Sequence, residues 1–193
     1  MTAQPKQAWT TADYLAFERR SASKHEYAAG TLVAMAGASA AHNIITANIV
    51  ASLHRQVLHR NCTVFPSDMR LKVLQANLYT YPDVTVVCGD VQYEDAAQDN
   101  VLNPTLLVEV LSPSTENYDR GRKAHYYRTI PSLQAYLLVA QDRQHIEHFT
   151  RHSVYQWLFA EVTSVDQPIY LAALDCTLTL TEIYHKVPAR PEG

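Results

Sequence analysis

Four side chains in this 193-residue chain stand where their chemistry is costly or directed. Glu109 is embedded in the apolar run Leu106-Leu107-Val108-Glu109-Val110-Leu111. A carboxylate in a central strand is rarely buried unless something pairs with it. Asp83 follows Pro82 at the start of a second strong strand, and Glu26 lies in a strand-like segment near a turn. Hard divalent cations take oxygen ligands, typically one or two carboxylates completed by substrate phosphate and water. Two acids on neighbouring strands of a rigid sheet supply such oxygens, and the bound ion polarises a phosphodiester and acidifies a water. The competing reading makes Glu109 half of a buried ion pair with Arg or Lys and Asp83 a turn cap after proline. Lys123 is the fourth residue. At helical spacing it shares a face with Tyr127 and Ile130, which directs it to the sheet. There it orients a water or steadies negative charge, or it lays its stem along apolar surface with the ammonium in water.

The elements that must position these groups are readable from periodicity. A short helix over 10–20 is capped by Thr10 or Thr11. Gly30 turns the chain between two strands. A long helix over 41–58 carries Ile44, Ile45, Ile49, Leu53 and Val57 on one stripe, with Ser39 as its N-cap. Strands follow over 63–65 and 69–73. The strongest two are 81–88 and 105–111, separated by a polar loop over 89–103. The second is apolar on both faces except at Glu109, as in the middle of a sheet. A loop at Ser112-Pro113-Ser114-Thr115 leads to a helix over 119–129, with Asp119 as its N-cap and Arg120, Arg122 and Arg128 as an exposed basic cluster. Strands near 134–140, 144–149, 154–160 and 168–171 form an antiparallel meander, and a last helical turn spans 182–186. The order is mixed α/β, one sheet carrying helices.

Composition sets the outer limits. Hydrophobic residues are 47% and charged residues 18%, which excludes intrinsic disorder. The net charge of −3 carries no global basic footprint of a nucleic-acid binder, so any such site is a local patch. The three cysteines, Cys62, Cys88 and Cys176, include no CxxC pair, so neither a zinc ribbon nor a disulfide framework is supported. A reduced compartment follows as the expectation. The first twenty residues lack an apolar signal core, and no apolar run approaches the ~18 residues of a membrane span. His42 opens the long helix as a cap-region histidine. His145 and His148 face opposite sides of a strand, which disfavours a shared metal. Asp68 is a turn residue. No nucleophile elbow, phosphate-binding glycine loop or dinucleotide fingerprint occurs.

The segments KHEYAAGTLVAMAGAS, AHNIITANI, PSDMRL, YPDVTVVC, NPTLLVEVLSPSTENYDRGRKAHYYR and IPSLQAYLLV resemble the Uma-type restriction endonuclease family of the PD-(D/E)XK nuclease superfamily. The match runs from about Thr11 to Lys186. The resemblance implies a restriction-endonuclease-like core, a central mixed β-sheet flanked by helices. It places the superfamily's metal-binding aspartate at Asp83, its second acid at Glu109 and its upstream acid at Glu26. One position departs from the pattern. The superfamily has lysine two residues after the second acid, and here that residue is Leu111. Lys123 is the natural stand-in, with Gln134 a weaker one.

The expected protein is therefore a Mg²⁺- or Mn²⁺-dependent endonuclease acting on DNA. Asp83 and Glu109 bind the metal, and Glu26 and Lys123 complete the catalytic set. A catalytically inactive nuclease-fold module that binds nucleic acid or protein is the alternative, and an RNA-directed phosphodiesterase a third reading. A cytoplasmic location is expected, and double-strand cutting favours a homodimer. The expected organisation is a flexible N-terminal tail over 1–9, one domain over 10–187 and a C-terminal tail over 188–193.

Overall fold

A computed structural model describes residues 8–188. Parts of both expected tails, 1–7 and 189–193, lie outside the described residues. Trp9 is tied down: its N–H donates to the Gly30 carbonyl at 3.0 Å and its ring packs on Phe17.

The chain is mixed α/β, with two large mixed sheets and few helices. Helix α1 (Thr11–Glu18) is capped by Thr10, and β1 (His25–Ala28) and β2 (Thr31–Ala34) form a hairpin. Its two-residue turn, Ala29-Gly30, has φ of 44° and 96°, the left-handed pair that matches strand twist. Helix α2 (Ala40–Val57) starts at Ser39, whose hydroxyl accepts the His42 N–H at 3.1 Å. Strands β3 (Cys62–Pro66), β4 (Arg70–Val73), β5 (Leu78–Thr80), β6 (Val84–Cys88), β7 (Asn100–Val101) and β8 (Leu106–Leu111) follow. A helical stretch then runs as α3 (Glu116–Tyr118), a π-helical turn (Asp119–Lys123) and α4 (Ala124–Tyr127). Strands β9 (Ala135–Ala140), β10 (Ile146–Arg151), β11 (Trp157–Val162), β12 (Ile169–Leu171) and β13 (Cys176–Leu178) precede helix α5 (Leu180–Ile183).

One sheet has the order β2-β1-β5-β4-β7, the other β11-β10-β9-β8-β6-β3. Strand β8 lies inside the second, antiparallel to β6 and parallel to β9. Period-two alternation splits its side chains. Leu106, Val108 and Val110 join the core under α2, with Ile45, Ile49, Leu53 and Val57. Leu107 and Leu111 face a second core, with Tyr127 of α4 and Leu71, Val73 and Leu78 of the other sheet. Glu109 falls on this second face, where both sheets and the π-turn converge.

Several expectations are corrected. The strand expected over 81–88 begins only at Val84, as β6, because Pro82 offers no N–H to a ladder, and an unexpected strand, β5, precedes it in the other sheet. One sheet becomes two plus a hairpin. The strand near 168–171 leaves the meander and pairs with β13. Asp119 is not an N-cap but lies inside a helical stretch that begins at Glu116. Arg120 is not free on the surface: it pairs with Glu116 at 2.9 Å and with Glu147. Cys62 and Cys88 sit directly opposite on β3 and β6 and form a disulfide, against the expectation of none. Their separation of 26 residues hid a contact that strand register creates. Among the described residues, no helix is long and apolar enough to cross a membrane.

Candidate active site

Glu26 is the second residue of β1, and β1 pairs with β5 so that Tyr27 meets Tyr79. One step along, Thr80 lies beside Glu26 and its hydroxyl donates to Glu26 Oε1. The next residues, Tyr81 and Pro82, carry the chain to Asp83. Val84 pairs with Val108, so continuing that register by one residue sets Asp83 opposite Glu109. The sheet switch thus brings Glu26, Asp83 and Glu109 to one junction, with only Tyr81 and Pro82 between Asp83 and the Thr80 that neighbours Glu26.

Lys123 fills the middle. Its Nζ lies 2.9 Å from Glu26 Oε1, 3.2 Å from Glu109 Oε1 and 3.3 Å from Asp119 Oδ1. Tyr127, one turn on, donates its hydroxyl to the same Glu109 oxygen at 2.7 Å. Glu109 is 4% exposed and Lys123 5%, so the centre is closed to bulk water. Asp83 stands nearer the surface. Its Oδ2 accepts the Val110 N–H at 2.7 Å and meets His42 Nε2 of α2 at 3.2 Å.

Three carboxylates share one ammonium, and the electrostatics follow from that ratio. Burial pulls the Lys123 ammonium downward, but Glu109, Glu26 and Asp119 together hold it well above the usual lysine range. Burial raises the Glu109 carboxyl well above the carboxylate range, reinforced by the charges of Asp119 and Asp83 and opposed by Lys123. Burial likewise raises Asp119. The two directions are compatible. The acids favour the charged lysine, and burial disfavours full charge on all three carboxyls at once. Such surplus negative charge on hard oxygens suits a divalent cation. Among the described residues no group of three or more His, Cys, Asp or Glu is arranged to hold a metal. The donor set fits an ion bound by two carboxylates and otherwise by water and phosphate, as Mg²⁺ is commonly held.

The chain matches the family Uma2, described as "Putative restriction endonuclease", over residues 11–181. It belongs to that family. The uncharacterized protein sll1609 of Synechocystis is 40% identical over 153 residues, covering 79% of this chain and 86% of the relative. A second uncharacterized Synechocystis protein, slr1290, is 34% identical over 172 residues, 89% of each chain. The crystal structure of a protein from Anabaena variabilis, described as a putative nuclease, superposes with a TM-score of 0.73 over 90% of this chain and 96% of that one. At 15% identity this likeness shows the fold.

Within this Uma2 chain, Lys123 meets both Glu26 and Glu109 directly, while Asp83 contacts His42 and the Val110 N–H and reaches Glu109 through its charge. Leu111, at the superfamily's lysine position, is buried apolar core. Gln134 is elsewhere. Its N–H donates to the Thr105 carbonyl at 2.9 Å, and it lines a cavity of about 300 Å³ with His148, Thr150 and Arg151. Since Glu109 pairs with Leu138, Gln134 is four residues back along β9, roughly 13 Å away. Asp68 is at the surface with Lys24. Sequence reasoning missed Asp119 and His42. Asp119 was recoverable, because it precedes Lys123 by four residues and helical spacing stacks the two. Nothing in the spacing marks His42 as a partner for Asp83.

Proposed function

We propose that this protein is a Mg²⁺- or Mn²⁺-dependent endonuclease that hydrolyses phosphodiester bonds in DNA. One observation carries the reading: Lys123 reaches the Glu109 carboxylate from the following helical stretch, although the strand position that usually holds the lysine is Leu111. Asp83 and Glu109 would hold the metal. When bound, that ion stabilises charge on the phosphoryl oxygens and yields hydroxide near neutral pH. The chain's own groups do the rest. The Val110 N–H fixes one oxygen of Asp83, and Tyr127 fixes one oxygen of Glu109. Thr80 and Glu26 form the wall beside Lys123. The Lys123 ammonium orients the attacking water or offsets charge that develops on the phosphate.

DNA is the proposed substrate, in the cytoplasm. A second copy of the chain is the proposed partner, since duplex cutting needs two centres. The edge strand β11 leaves Leu158 and Phe159 exposed for such an association. A second reading rests on the closure of the centre: a buried ion network is also what a non-catalytic binding module of this fold would keep. Plasmid nicking separates the two. Wild-type protein with Mg²⁺ or Mn²⁺ is expected to nick, and Glu109→Gln to be inactive yet folded. Wild-type protein that neither binds metal nor cuts DNA or RNA would favour the module.

A further inference from the structure

Asp119 is 2% exposed, and its carboxylate stands farthest of the three from Lys123. Glu26 Oε1 receives the Thr80 hydroxyl and faces the ammonium at 2.9 Å, and Glu109 Oε1 receives both Tyr127 and Lys123. Asp119 Oδ1 sits 3.3 Å from Lys123 Nζ, the longest of the three contacts to the ammonium, and the Thr115 hydroxyl also acts on this carboxyl. A buried acceptor held this loosely is costly unless a second arrangement tightens it. Its backbone is placed for that. Asp119 and Lys123 are the first and last residues of the π-helical turn, an irregularity common at functional sites.

The metal reading creates the need. A divalent cation on Glu109 would compete with Lys123 for the same carboxylate, and two cations would repel. Lys123 must then give up Glu109 without leaving the centre. We propose that Asp119 is a positioning residue, which retains the Lys123 ammonium beside the centre when Glu109 is given over to the metal. This rests on the metal-dependent reading above, and it assigns Asp119 a task that neither a metal ligand nor an N-cap performs. In the metal-free state Asp119 shares Lys123 loosely. In the loaded state Asp119 and Glu26 hold it between them.

The test is a double-mutant cycle read by calorimetric titration of Mn²⁺ into the metal-free full-length protein, so it needs no cleavage. Asp119→Asn should weaken Mn²⁺ binding about tenfold, because Lys123 loses its second position and stays on Glu109. Lys123→Met should tighten binding, since the competing cation is gone. In the Lys123→Met background, Asp119→Asn should change affinity by less than about threefold. Asp119→Glu, which keeps the charge, should stay near wild type. Thermal melts establish that each variant is folded, and Asp119→Ser replaces Asn if that variant is not. Equal weakening by Asp119→Asn in both backgrounds would overturn the inference and leave the metal centre standing, since through-space charge alone would then explain it. No Mn²⁺ uptake by wild type or any variant would overturn the inference together with the metal centre.

Discussion

Glu109 is buried in β8, where Lys123 and Tyr127 both donate to one of its oxygens. A lone partner for a buried charge is lost at a cost of ~3–5 kcal/mol. Here Lys123 has Glu26 and Asp119 in reserve, so Glu109→Gln should cost less, about 2 kcal/mol at most. Its pH dependence has a definite sign. The folded carboxyl is raised by burial, so above the unfolded value, about 4.3, the native state holds a proton that the unfolded chain releases. Wild-type stability therefore falls relative to Glu109→Gln as pH rises toward the folded pKa. Urea unfolding of both proteins at about pH 5 and about pH 8 checks this, and a constant difference would refute it. Lys123→Met leaves three buried acids without a cation and should lose about 3–5 kcal/mol near neutral pH, partly restored by Mn²⁺. The acids were legible because apolar surroundings make a carboxylate conspicuous. Asp119 was recoverable from its spacing to Lys123 but overlooked, because an aspartate near the expected start of a helix already has an ordinary explanation as a cap.

Among the elements, the sheet switch at Tyr81-Pro82-Asp83 decides most. It sets Asp83 at the mouth of β6 and keeps Thr80 beside Glu26. Periodicity showed α1, α2, β8 and β9 within a residue or two, since each buries a stripe or run. It did not show β5, whose three residues are too few to display a period. Nor could it find the two-residue β7, which pairs with β4 and brings Asp99 beside Arg19 and the buried Arg70. The Arg19 hydrogen bond, with Arg70 and Arg19 charges behind it, holds the Asp99 carboxyl below its usual range. This contribution is present above the unfolded pKa, about 3.9, and is lost as pH falls through the lower folded value. Asp99→Asn should therefore destabilise by about 1–3 kcal/mol at neutral pH, chiefly by leaving Arg70 buried without a carboxylate beside the Tyr14 and Tyr81 rings. The gap from wild type should close in acid. Melting temperatures of the two proteins across pH test it, and a gap that widens in acid would contradict the assignment.

For the molecule as a whole, composition excluded disorder, and the apolar strands with one long amphipathic helix indicated a mixed α/β core. The division into two sheets was not legible, because it depends on long-range pairing. The Cys62–Cys88 bond belongs to the same class, a contact fixed by register across β3 and β6. Closing a loop of 26 residues, it should contribute about 3 kcal/mol if chain entropy dominates. Reduction should then lower the melting temperature by roughly 6–12 °C, and Cys176, buried and unpaired, should not alter that shift when replaced by Ala. An unchanged melting temperature in reductant would show that the bond adds nothing to the fold. The proposed activity requires the junction of the two sheets to seat a divalent cation between Asp83 and Glu109. The most direct measurement is an anomalous difference map from a Mn²⁺-soaked crystal. The expected result is one peak contacted by the carboxylates of Asp83 and Glu109, with Lys123 moved off Glu109. A peak elsewhere, or none with Lys123 still on Glu109, would contradict it.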